Sequence, residues 1–155
     1  FLIDVRYGGV MYSGTVSDLR VNGMAEETIG KNRTDIVDKG VKQDGTENTT
    51  AITPYQFWSN NYSSKVSEAN VFDATFVKLR EMVLSYQMPQ RWFKNCFIGS
   101  LALGVEGRNL WLMKSNVPHI DPETNIFGPS AVGSGVEYSA IPTTRSWGFN
   151  IKLTF

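Results

Sequence analysis

One cysteine and one histidine stand among 155 residues. A lone thiol, Cys96, forms no internal disulfide, and with no metal-ligating neighbours in sequence it makes no zinc site. A disulfide-stapled scaffold and a zinc finger are therefore excluded, and Cys96 reads as a buried or turn residue. Charge is scarce, at 19% against a usual share of about 25%. It also balances, with 15 basic and 15 acidic side chains and no run of one sign, so nothing marks a nucleic-acid surface or a polybasic lipid anchor. No stretch approaches roughly 18 consecutive apolar residues, which excludes a transmembrane helix but leaves transmembrane strands open, because alternating strands average out in a hydropathy window. A Gly-rich phosphate loop, a Ser nucleophile elbow and a Cys/His pairing are missing as well. No catalytic residue and no cofactor is expected. The chain opens on Phe1-Leu-Ile-Asp rather than on the Met, basic region and apolar core of a signal peptide, and reads as a fragment of something longer.

What is abundant is apolar and aromatic, at 41% and 12% of the chain, and it is arranged in alternation. Trp147, Phe149, Ile151, Leu153 and Phe155 occupy one parity, while Ser146, Gly148, Asn150, Lys152 and Thr154 occupy the other. That period of two is the signature of a strand with two unlike faces, and arises by chance in on the order of one window in a thousand. Upstream, Leu101, Leu103 and Val105 alternate with Ala102, Gly104, Glu106 and Arg108, and Leu110 and Leu112 follow after a change of phase near Gly107 to Asn109. Charged side chains facing an interior are costly in a dry core and cheap in a wet lumen. From 74 to 86, Val77 and Leu79 share one parity and Met82, Leu84 and Tyr86 the other. A β-bulge near Arg80 and Glu81 would return the whole set to one side; the alternative is a short amphipathic helix stopped at Met88-Pro89. The opening stretch, Phe1 to Tyr12, sets Phe1, Ile3, Val5 and Tyr7 against Asp4 and Arg6.

These strands, about 1–12, 74–87, 100–113 and 143–155, are joined by links of unequal length. Residues 88–99 make a short turn, whereas 15–73 and 114–142 are long and rich in Gly, Asn, Thr, Ser and Pro. Short links on one side and long ones on the other are the rule of outer-membrane barrels, with the short turns in the periplasm. The predicted class is thus all-β, with antiparallel transmembrane strands and long extracellular loops. The first loop is long enough to need small strands of its own and a short helix around Pro54 to Tyr62.

Phe72-Asp-Ala-Thr-Phe-Val-Lys-Leu-Arg-Glu-Met-Val-Leu-Ser-Tyr-Gln-Met-Pro89 resembles the stretch D-A-S-F-x-R-L-x-x-x-x-L-x-Y-x-L-P of SusC/RagA-like TonB-dependent transporters. Val105-Glu-Gly-Arg-Asn-Leu-Trp111 is similar to the family's G-x-N-L strand, Asp121-Pro-Glu-Thr-Asn125 to its D-P-E loop, and Ile141-Pro-Thr-Thr-Arg145 to its P-x-x-R motif. Leu2-Ile-Asp-Val-Arg-Tyr-Gly-Gly9 resembles an earlier strand, so the resemblance covers nearly the whole chain outside parts of the first loop. It implies the last four or so strands of a large barrel of roughly 22 strands, located in a bacterial outer membrane, that imports oligosaccharides or oligopeptides. It also implies a SusD-like surface lipoprotein lid and a TonB complex engaged through an N-terminal region that is not in this sequence. Barrel-assembly machinery would read the terminal strand with Phe155.

In that frame Trp147, Phe149, Ile151, Leu153, Phe155, Leu101, Leu103 and Val105 are expected to face lipid. Asp4, Arg6, Glu106, Arg108, Asn150 and Lys152 are expected to face the lumen. Tyr55, Phe57, Trp58 and Tyr62 are candidates for stacking on a ligand, or equally for packing the loop itself. His119 with Asp121 and Glu123 is too sparse for a metal site and reads as an exposed loop with a bracing turn; no metal is expected. The rival reading, a soluble all-β cell-surface carbohydrate-binding module, requires the apolar faces to meet across a core.

Overall fold

Sustained alternation produces strands wherever the sequence carries it. The computed structural model describes residues 1–28, 35–63, 66–94, 97–128 and 135–155, with the backbone alone for 61–63. In chain order the described strands are β1 Leu2–Arg6, β2 Val10–Ser13, β3 Ile36–Val37, β4 Ala51–Ile52, β5 Val71–Asp73, β6 Phe76–Gln87, β7 Ser100–Ser115, β8 Val136–Glu137 and β9 Ser146–Thr154. Two helices, α1 Gly14–Val21 and α2 Pro54–Phe57, lie in the first long link. None of the described helices is long and apolar enough to cross a membrane, which says nothing of crossing by strands. The chain divides into two units, one of Phe1–Tyr7, Thr75–Ser115 and Thr143–Phe155, the other of Gly8–Ala74 and Asn116–Pro142. Cys96 lies outside the described residues.

The first unit is an antiparallel sheet in the order β1-β6-β7-β9. Between β7 and β9 the register is unbroken, from Ser100 opposite Thr154 to Arg108 opposite Ser146. Register slips elsewhere, and the slips carry the pattern. Against β1, β6 holds one extra residue, Arg80, between Leu79 opposite Ile3 and Glu81 opposite Leu2. Against β7, the same Arg80 faces two residues, Asn109 and Leu110, with Asn109 at φ 51°. A second slip sets Val77 opposite Lys114 but Lys78 opposite Leu112. The slip at Arg80 returns Val77 and Leu79 to the face of Met82, Leu84 and Tyr86, where Trp111 also stands. β6 is therefore a bulged strand and not the alternative amphipathic helix. Leu112, which the change of phase near Gly107 to Asn109 groups with the apolar set, instead stands opposite Lys78.

The opening stretch is two strands where the sequence predicts one through Tyr12. Gly8 and Gly9 have φ of 76° and 84°, a left-handed conformation that glycine adopts without steric cost and that ends a ladder. Beyond them β2 joins a separate sheet, antiparallel to β5 and parallel to β8.

In this second unit the helix starts are chemically explicit. Ser13 accepts from the amide of Val16 at the head of α1, and Thr53 and Gln56 form a reciprocal capping box with Pro54 at the first position of α2. Residues Trp58–Ser63 continue α2 with wider π-type turns. Met11, Ala74 and Val117 make a small core with Phe72 and Ile120 against it. Glu137, 1% exposed, accepts from the hydroxyls of Ser13 and Thr15 at 2.6 Å each and from the amide of Ala140.

Arg20 of α1 gathers the rest. Its Nε donates to Glu27 at 2.5 Å, and its Nη1 donates to the Ala69 carbonyl at 2.6 Å and to Asn70 Oδ1 at 2.9 Å. Its guanidinium also lies 4.4 Å from the Trp58 ring centre and 5.3 Å from that of Phe72. The other Glu27 oxygen sits 3.1 Å from Nε2 of His119. Partial burial would raise the Glu27 pKa, but hydrogen bonds from Arg20, its own backbone amide and His119, with the Arg20 charge, hold it below the ordinary 4.5.

Two outcomes are expected from this packing. A side chain at Gly107 meets Leu110 at 2.6 Å and the Trp147 ring at 3.0 Å, so Gly107→Val should destabilise the strand unit by about 1–3 kcal/mol. The loss should be smaller in a Trp147→Ala background, whereas Gly40→Ala, with open space around it, should be silent; the thermal midpoint of gel heat-modifiability in the full-length protein measures all three. Arg20→Met removes the donors to Glu27 and Ala69 and should loosen the loop unit by about 2–4 kcal/mol, seen as faster amide exchange across α1 and 67–70. Because the folded-state pKa of Glu27 is lowered, its contribution is complete above the ordinary 4.5 and fades as pH falls through the lowered value. Acid should therefore lower the protection factors there, measured against the intrinsic exchange rate at each pH, more in the wild type than in Glu27→Gln.

Candidate functional site

Residues paired across neighbouring strands share a face, so the register sorts the strand unit into two surfaces. One carries Leu101 with Leu153, Leu103 with Ile151 and Tyr86, Val105 with Phe149 and Leu84, and Gly107 with Trp147 and Met82. Beyond the bulge it continues through Leu79 with Trp111 and Ile3, and Val77 with Val5. Trp147, Phe149, Ile151, Leu153, Leu101, Leu103 and Val105 thus stand on one surface. Nothing among the described residues covers it: Phe149 is 82%, Leu84 73% and Ile151 69% exposed. From Leu101 to Trp111 the strand rises about 33 Å, and a tilt of about 40° reduces that to about 25 Å of height. That matches the apolar band of an outer-membrane barrel, and a soluble sheet has no reason to leave such a band bare.

The opposite surface is polar. Asp4 stands opposite Lys78, Arg6 opposite Phe76, Arg108 opposite Glu81 and Ser146, Glu106 opposite Gly148, Asn150 opposite Gly104 and Lys152 opposite Ala102. The sequence-predicted set Asp4, Arg6, Glu106, Arg108, Asn150 and Lys152 therefore shares one face. Small residues opposite large ones make room: a Cβ on Gly148 would sit 2.9 Å from the Glu106 side chain. Glu106 and Arg108 approach to 3.9 Å.

Pairing also assembles a cluster that alternation alone does not announce. Arg80 forms an ion pair with Asp4 and donates to Asn109 Oδ1 at 3.4 Å. Asn109 Nδ2 donates in turn to the Thr144 carbonyl at 3.0 Å, and Lys78, only 3% exposed, donates to Thr143 at 3.0 Å. The changes of phase at Arg80 and Asn109 were the available signal, since a bulge frees backbone groups that a nearby polar side chain then satisfies.

In the loop unit the candidate aromatics separate. Phe57 packs edge-to-face on Trp58 at 5.2 Å, and Trp58 lies under Arg20. Tyr55 is 62% exposed and lines a cleft of about 450 Å³ with Val21, Asn22, Gly23, Thr28, Thr53 and Pro54. The side chain of Tyr62 lies outside the described residues. His119 is exposed as a residue, at φ 65°, while its imidazole, 19% exposed, leans on Glu27. Asp121 braces its own turn, accepting from the amide of Glu123 at 3.2 Å while its carbonyl accepts from the Thr124 hydroxyl.

No known family model matches the chain. Over 95 residues, 59% of this chain and 9% of the relative, it is 24% identical to TonB-dependent receptor P3 of Formosa agariphila. Its structure is similar to the RagAB peptide importer in the open-open state, with a TM-score of 0.58 and 16% identity over 99% of this chain and 15% of that one. A second structure, of the RagAB peptide transporter, aligns with a TM-score of 0.49 and 15% identity. The chain spans less than a sixth of the length of these proteins. Its fold is that of antiparallel β-barrel wall strands with long loops; in sequence the chain is similar to a portion of a TonB-dependent receptor, and in fold to a portion of the RagAB importer.

Proposed function

We propose that these residues form the last strands of the wall of a TonB-dependent importer in a bacterial outer membrane. The observation that carries the reading is the sorting of side chains by β6, β7 and β9, which leaves an uncovered apolar band on one surface and charged groups on the other. On this reading Trp147, Phe149, Ile151, Leu153, Phe155, Leu101, Leu103 and Val105 contact lipid. Asp4, Arg6, Glu106, Arg108, Asn150 and Lys152 line a wet lumen, where water screens charges that a dry core would penalise. The outer sides of β1 and β9 have no strand partner among the described residues. Open edges in lipid leave costly unpaired backbone groups, which supports further strands beside them in the whole protein.

The protein acts by passage and not by bond chemistry. Its cargo is an oligosaccharide or oligopeptide, and residues 15–73 and 114–142 shape the external entrance, with Tyr55 beside its cleft as a stacking surface. A SusD-like lipoprotein covers that entrance, a TonB complex supplies energy through another part of the protein, and barrel-assembly machinery engages the strand ending at Phe155. The name of the RagAB peptide importer and the likeness to a TonB-dependent receptor support this assignment. A soluble carbohydrate-binding module would require a second layer over Phe149 and Leu84.

Single-cysteine scanning of β9 in the native full-length protein, with Cys96 replaced by Ser, tests the reading. Cysteines at 148, 150 and 152 should react with a water-soluble maleimide in intact outer membranes, and those at 147, 149, 151 and 153 should be protected until detergent is added. Uniform reactivity, or recovery of the protein from the soluble fraction, would sink the transporter and favour the binding module.

A further inference from the structure

We propose that the turn joining β6 to β7 binds the phosphate of an anionic phospholipid in the inner leaflet of the outer membrane; this rests on the orientation adopted above, which puts that turn at the periplasmic rim. After Gln87 the chain forms a tight helical turn, Gln90–Trp92, closed by the amide of Trp92 on the Pro89 carbonyl at 3.1 Å and that of Phe93 on Gln90 at 2.9 Å. The far end is tied to β9 by the amide of Gly99 on the Thr154 carbonyl at 2.7 Å. Phe97 stacks parallel on Phe155, with ring centres 5.7 Å apart, and both are more than three-quarters exposed, while Trp92 is 61% exposed.

Among these aromatics stand Arg91 and Lys94, both exposed and neither in an ion pair among the described residues. The side-chain charge around them has one sign. No acidic side chain occurs anywhere in 82–105 or 138–155, so no side chain in the turn or the adjoining strand ends neutralises the two cations. Amphipathic aromatic rings settle at the headgroup level, and cations beside them are drawn to anionic headgroups. A water-soluble protein partner would need the aromatics covered by protein. In a membrane the lipid covers them, and the same lipid supplies the negative charge.

The test uses the full-length protein purified in a mild detergent and exposed to equal amounts of phosphatidylglycerol and phosphatidylethanolamine, with retained lipid counted by native mass spectrometry. Wild type should retain the anionic lipid preferentially. Arg91→Gln should reduce that preference about five-fold and the Arg91→Gln/Lys94→Gln pair about twenty-five-fold, while Lys39→Gln/Lys42→Gln in the loop unit should leave it unchanged. Equal retention of the two lipids by wild type, or a double variant indistinguishable from wild type, would overturn the proposal. A protein that needs no detergent would instead bring down the transporter reading itself, which is a separate failure.

Discussion

Arg80 sits where two neighbouring ladders lose step, and the character of the sheet follows from how that mismatch is resolved. Against β1 it is one residue too many; against β7 it faces one too many. Because side chains alternate with a period of two, a single uncompensated slip would turn Val77 and Leu79 away from the surface of Met82, Leu84 and Tyr86. The backbone groups released at a bulge need partners. The side chain of Arg80 bonds Asp4 on one neighbour and Asn109 on the other, so the residue that interrupts the ladders also ties the three strands together.

Once the faces are sorted, the environment each requires is decided by solvation. The apolar surface carries Phe149, Ile151 and Leu84 without cover, and removing such area from water contributes about 25 cal/mol per Å². The polar surface carries opposed charges such as Arg108 and Glu81 that are tolerable only where water reaches them. On the proposed reading, lipid on one side and an aqueous passage on the other meet both conditions at once.

The loop unit is held differently. It has a small apolar core around Met11, Ala74 and Val117, and much of its cohesion is polar. Arg20 brings α1, Glu27, Ala69 and Asn70 together while its flat guanidinium covers Trp58 and Phe72, a combination a lysine would not reproduce. Glu137 ties β8 to the start of α1 through the hydroxyls of Ser13 and Thr15, beside the ladder that pairs it with Ser13. Polar ties of this kind hold a surface segment in shape while leaving Tyr55 free beside its cleft.

Much of the strand unit was legible in the residues. The alternation of 146–155 determined a strand with Trp147, Phe149, Ile151 and Leu153 on one side, and the phase change in 74–86 announced a bulge, because both depend only on the local period of the backbone. The break at Gly8-Gly9 was visible as composition but not as a change of sheet, since the partners of β2 lie some sixty and one hundred and twenty-five residues away. The change of phase near Gly107 to Asn109 pointed to Leu112 for the apolar surface, whereas the register keeps Trp111 there, in the parity of Leu101, Leu103 and Val105. Likewise Arg20, unremarkable in sequence, became the centre of the loop unit through partners up to fifty positions distant, and His119 met Glu27 across ninety-two. The sequence by itself determined the strands and the chemistry of their two faces, because a side chain's direction along a strand is set by its own backbone. Register, the bulge geometry and the Arg20 contacts were decided by tertiary structure alone, because each belongs to a pair of segments and not to either one.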